Sequence, residues 1–174
     1  MINNPHVKVY ENEEGKLIVE GNIVILNNTY DMFPVKIDKV DGSIEWHGCV
    51  NCFESGSLTS LKNFPDEVTG NVYISKNEKL KSLSGCPKHI GGSLVCEHCD
   101  ISDISGLNGV TIKGHFIASH NPITDISVLE NTYIGRNIEL IDTTWSNFSK
   151  ENDIKTKNDS SIIIKDETHI GIYG

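Results

Sequence analysis

Positive charge is scarce in this chain. Lys and Arg number 15 against 24 Asp and Glu, a formal charge of −9. The acids are spread along the sequence, and no basic stripe exists to neutralise phosphates, so no nucleic-acid partner is expected. Aromatic residues are also few, at 7%. That is lean for a globule around one central core, but it suits a solenoid of many small aliphatic positions. No apolar run is long enough to span a bilayer, and residues 1–10 hold no apolar signal core, so no membrane association is expected. Five cysteines without a secretion signal then read as reduced thiols in a cytoplasmic protein. With Gly 15 and Pro 5, the chain has punctuation for frequent turns rather than long helices.

What the chain does have is a repeat. The octets Gly70–Asn77, Gly92–Cys99, Gly114–Asn121 and Arg136–Thr143 start 22 residues apart. Gly21–Asn28 and Gly42–Cys49 fit the same mould 21 residues apart, and 28 residues then separate Gly42 from Gly70, which places an insertion at Val50–Ser57. The third and fifth residues of each octet are mostly apolar: Val72 and Ile74, Leu94 and Cys96, Phe116 and Ala118. A spacing of two is one face of a strand. The eighth is Asn, Cys or Thr, and a second apolar pair spaced by three follows, as in Leu80/Leu83 and Ile101/Ile104. A buried Asn there can satisfy turn backbone groups that have no ladder partner. About eight residues remain before the next strand, too few for a good α-helix, which leaves 3₁₀ turns or extended chain.

Written out, the unit is L-x-L-x-x-N/C-x-L-x-x-L, the leucine-rich-repeat pattern. Asn121–Leu129 (NPITDISVL) and Asp100–Leu107 (DISDISGL) resemble the 22-residue bacterial repeats of internalins over Leu58–Thr143. The displaced apolar residues Val68, Ile90, Ile112 and Ile134, with the Cys-Pro in Ser84–Pro87, also look like repeats of small phage and bacterial proteins. The resemblance implies a mostly β architecture: a right-handed leucine-rich-repeat-like solenoid of about six or seven coils with parallel strands and no long helix. At ~4.8 Å per coil the rod would be about 30 Å long. One domain is expected, with residues 1–20 as an N-terminal capping hairpin, 21–143 as repeats and 144–174 as a C-terminal cap. In that cap Trp145 and Phe148 would cover the last core layer, and Ser161–Lys165 with Thr168–Tyr173 would form a hairpin or a seventh strand.

Cys49-x-x-Cys52 and Cys96-x-x-Cys99, beside His47 and His98, have the look of paired zinc knuckles. The register argues otherwise. Cys96 falls in a core strand slot, Cys49 and Cys99 fall in the Asn slot, and the pairs lie two coils apart. Buried free thiols are favoured over a metal, with Cys52 in the insertion as the exception. His98 and Glu97 are strand neighbours on opposite faces, with no nucleophile beside them, so His47, His98, His115 and His120 read as surface or turn histidines. Gly91-Gly92 precedes a strand, whereas a phosphate loop precedes a helix. No enzyme and no cofactor are expected.

The alternate strand residues face outward: Glu45 and His47, Tyr73, Val95 and Glu97, Ile117, and Glu139. Tyr73, Val95 and Ile117 come from successive coils at one register, and the glutamates border them, which makes a candidate binding stripe. Phe53 in the insertion is a second candidate, since insertions often map to the binding face, although this one could merely cap a turn. The expected function is a protein–protein interaction module, an inhibitor or adaptor of phage or bacterial origin that binds a host protein, with a monomer favoured. The alternative is a structural subunit or appendage of a larger assembly.

Overall fold

The computed structural model describes residues 6–26, 31–48 and 58–143, together with the backbone of Ile162 and Ile163. The chain winds as a mostly β solenoid whose parallel strands form two sheets. Sheet A takes β1 (Lys8–Glu11), β2 (Leu17–Glu20), β4 (Lys39–Asp41), β6 (Glu67–Val68), β8 (His89–Ile90), β10 (Thr111–Ile112) and β12 (Tyr133–Ile134), in that order. Sheet B runs β3 (Ile23–Leu26), β5 (Ile44–His47), β7 (Val72–Tyr73), β9 (Leu94–Val95), β11 (Phe116–Ile117), β13 (Ile138–Glu139) and β14 (Ile162–Ile163). β1 is the exception to parallel pairing: it folds antiparallel onto β2, with Lys8 opposite Glu20. Helical structure among the described residues is confined to two 3₁₀ turns, Ser105–Leu107 and Ser127–Asn131.

The number of turns corrects the expectation from the sequence. The solenoid makes about five turns rather than six or seven. Counting octets overstates the turns because five steps suffice to join the six strands from β3 to β13. The residues between one octet and the next are 3₁₀ turns and extended chain as expected, and within the extended part Val40, Val68, Ile90, Ile112 and Ile134 align in a parallel ladder of their own, sheet A. Each is buried, so the displaced apolar residue is a second strand's core position rather than an irregularity of the first.

The core is a stack of columns, one residue per coil. Ile44, Val72, Leu94, Phe116 and Ile138 form one column; Trp46, Ile74, Cys96, Ala118 and Leu140 form the next. Leu80 and Leu83, Ile101 and Ile104, and Ile123 and Ile126 close the third side. Side-chain volume is traded within a coil: where one column holds the large Phe116, the next holds Ala118, as close packing requires. Near the start, Phe33, Trp46 and Phe64 cluster with ring centroids 4.8–6.1 Å apart. These rings pack together inside the first coils, where Trp46 sits on the strand next to the terminal β3.

Two polar devices hold the coils in register. Asn77 is fully buried: Nδ2 donates to Trp46 O at 3.0 Å and Ile74 O at 2.8 Å, and Oδ1 accepts from Leu58 N–H at 2.9 Å. Asn121 repeats the pattern two coils on, with Cys96 O, Ala118 O and Ile101 N–H. Cys99 fills the slot between them, and its thiol donates to Ile74 O at 3.3 Å. The second device lies at the corner joining sheets A and B. Asn22 Oδ1 accepts from Ser43 N–H, Ser43 Oγ from Asn71 N–H, Asn71 Oδ1 from Ser93 N–H, and Ser93 Oγ from His115 N–H, all at 2.8–3.0 Å. Beside this ladder Gly70, Gly92 and Gly114 each donate N–H to the glycine carbonyl one coil back at 2.8 Å. A Cβ on Gly92 would collide with the Asn71 side chain and the Gly70 backbone, so the close approach requires glycine.

Candidate functional site

The outer face of sheet B carries most of the residues singled out from the sequence. Backbone pairing puts Glu45 beside Tyr73, Tyr73 beside Val95, Val95 beside Ile117, and Ile117 beside Glu139. Parallel neighbours lie ~4.8 Å apart, so these five side chains make one continuous row. All five are half-buried, while Ile44, Val72, Leu94, Phe116 and Ile138 on the opposite face are buried. Val24 extends the row by one coil through its pairing with Glu45 and is 45% exposed. Its signal was in the sequence, since it holds the same octet position as Tyr73.

A second row stands two residues further along each strand. His47 is exposed, with Nε2 3.4 Å from Glu45 Oε2. Glu97 is half-buried, and its N–H donates to Ser75 Oγ at 3.1 Å. Ser119, two residues beyond the outward Ile117, is only 1% exposed, and its Oγ turns back to accept from Ile141 N–H at 3.0 Å. This second row is therefore partly spent on holding coils together. Lys and Arg occupy none of the residues 24, 45, 47, 73, 95, 97, 117 or 139 on the sheet B side, whereas the strands of sheet A carry Lys8 and Lys39. Phe53 and the rest of the 50–57 insertion lie outside the described residues, as do Cys49, Cys52, Trp145 and Phe148.

The described thiols are buried and poor nucleophiles. Burial pushes Cys86 up to about 12 and Cys99 to about 11, and drives Cys96 well above the ordinary thiol value. Without a metal, burial thus keeps Cys96 and Cys99 in the neutral thiol form at pH 7. Among the described residues no three His, Cys, Asp or Glu side chains gather as a metal-binding group.

His98 and His120 form a contact that the sequence reading missed. Their rings stack with centroids 4.1 Å apart and planes 10° apart, and His120 Nδ1 lies 3.2 Å from Asp142 Oδ2. The signal was the 22-residue spacing of Lys76, His98, His120 and Asp142. All four have positive φ, between 51° and 62°, at the corner that follows sheet B. Stacking thus holds the two rings face to face at the corner.

Comparison with protein-family models, with curated proteins and with solved structures gave no match.

Proposed function

We propose that the chain is a protein-interaction module whose docking surface is the outer face of sheet B. The observation that carries this reading is the in-register row Tyr73–Val95–Ile117, bordered by Glu45, Glu97 and Glu139 with no cation at the strand positions between them. An apolar centre with a rim of one charge suits a partner that presents Lys or Arg around an apolar patch. The flat face is preformed by backbone ladders on both sides, so little ordering would oppose binding. The resemblance of Leu58–Thr143 to short bacterial repeats supports a phage or bacterial source, and with it a cytoplasmic inhibitor or adaptor. Catalysis has no part in the reading. The test is affinity capture from bacterial extract by the parent chain and by a Tyr73→Ala/Ile117→Ala variant, with circular dichroism confirming the fold of both. A partner held by the parent and lost by the variant supports the surface; equal capture moves it elsewhere.

A structural subunit is the second reading. Among the described residues sheet A ends at β12 and sheet B begins at β3, and open strand edges are templates for pairing with another chain. Light scattering separates the two. A monodisperse monomer supports the module, and a concentration-dependent, open-ended assembly supports the subunit.

A further inference from the structure

The third side of the solenoid, away from the outer face of sheet B, holds a pocket of about 340 Å³ built by four successive coils. That is at the small end of the ~300–1,000 Å³ typical of ligand sites. Three lysines line it, Lys36, Lys62 and Lys88, against a single carboxylate, Asp66. This is a local surplus of two positive charges in a chain of net charge −9. Like charges are costly to gather unless something screens them; Asp66 offsets one, and Asp103 reaches the lining only through the N–H of Ser105, at 2.8 Å.

The cations are held from below. Lys36 Nζ donates to Phe64 O at 2.6 Å and pairs with Asp66 Oδ1 at 2.8 Å, which fixes the ammonium at the rim with one donor left over. Lys88 is tied through its backbone N–H to Asp66 O at 2.8 Å. The turn carrying Lys62 is set by its own N–H donating to Ser60 Oγ at 3.1 Å. The ammonium groups of Lys62 and Lys88 have no ion-pair partner among the described residues. The floor is glycine: a Cβ at Gly85 or Gly106 would run into the Leu61 or Leu83 carbonyl of the preceding coil. The two glycines therefore let successive coils approach closely beneath the lysines.

We propose that this pocket binds a compact dianion of the phosphate type, free or as a monoester. The surplus of two charges matches a dianion. Lysine, a point charge with rotatable donors, suits a tetrahedral oxyanion approached from three coils better than it suits a planar carboxylate. The site is independent of the sheet B surface, so either can fail without the other.

The test is a titration of the ¹⁵N-labelled full chain with inorganic phosphate, and separately with O-phosphoserine, at ionic strength held constant with sodium chloride. Saturable amide shifts are expected at Gly85, Gly106 and Asn108. Binding should weaken about tenfold for each lysine lost, in Lys88→Gln and then in Lys62→Gln/Lys88→Gln. Lys113→Gln, outside the pocket, should bind as the parent does. Saturation by both probes assigns a monoester site, and saturation by phosphate alone assigns a free-ion site. Non-saturating shifts, or an affinity unchanged in the double variant, would overturn the proposal. Both lysines are exposed, and an unchanged spectral dispersion confirms that the variants fold.

Discussion

Replacing Asn121 by alanine removes a side chain that, like Asn77, makes four hydrogen bonds to backbone. Its Nδ2 donates to Cys96 O at 2.8 Å, Ala118 O at 3.0 Å and Ser119 O at 3.2 Å, and its Oδ1 accepts from Ile101 N–H at 3.0 Å. At 2% exposure no water stands ready to replace it. A buried N–H left without an acceptor costs about 1–3 kcal/mol, and the carbonyls that lose their donor push the total toward the top of that range. Urea unfolding followed by circular dichroism reads the effect. With m of about 2 kcal/mol/M, a loss of about 2–3 kcal/mol lowers the midpoint by about 1–1.5 M at unchanged m. Asn121→Cys supplies the control that the protein itself suggests, because Cys99 already fills this slot with one thiol donor. The Cys variant should fall between parent and alanine. An alanine variant within about 0.5 kcal/mol of the parent would refute the claim that the Asn ladder ties the coils together.

Other consequences follow from the same geometry. Gly92→Ala should destabilise by about 1–3 kcal/mol, since its Cβ meets the Gly70 backbone and the Asn71 side chain, and thermal melting measures it. Asp103 is held below the usual aspartate value of 3.8 by hydrogen bonds from Ser105 and Ser82, and Asp125 likewise by Ser127. Their folded-state values are depressed, so the stability they contribute is present above 3.8 and is lost as pH falls through the lower folded values. Asp103→Asn/Asp125→Asn should therefore flatten the acid limb of the stability curve below about pH 4, as urea midpoints taken against pH would record. Cys86, Cys96 and Cys99 should resist a thiol reagent in the native protein and react on unfolding, which peptide mass mapping reads directly.

How far the sequence carried can be judged at particular residues. The octet pattern placed Val72 and Ile74 inward and Tyr73 outward, because period-two alternation is a strong signal even when hydrogen-bonded strands are only two residues long. The Asn slot was legible because a polar residue at a fixed place in an apolar repeat needs buried partners. Sheet A was not legible: each of its inner strands offers one buried apolar residue, Val68, Ile90, Ile112 or Ile134, and a single position has no period. The pairing of those positions one coil apart is what makes them strands. In the candidate site, the row of Tyr73, Val95 and Ile117 came from register alone. The bend of Ser119 inward and the stacking of His98 on His120 depend on side-chain rotamers and left-handed corners, which spacing does not encode. The pocket of Lys36, Lys62 and Lys88 joins residues 26 positions apart, a step the repeat does not share.

The central claim is that sheet B's outer face binds a protein partner. It is tested most directly by calorimetric affinity for the captured partner, in the parent, in Tyr73→Ala/Ile117→Ala and in Phe53→Ala. The account expects the double variant to lose binding at least about a hundredfold, with urea stability unchanged and Phe53→Ala close to the parent. Unchanged affinity in the double variant would contradict it, and a loss confined to Phe53→Ala would place the interface on the 50–57 insertion instead.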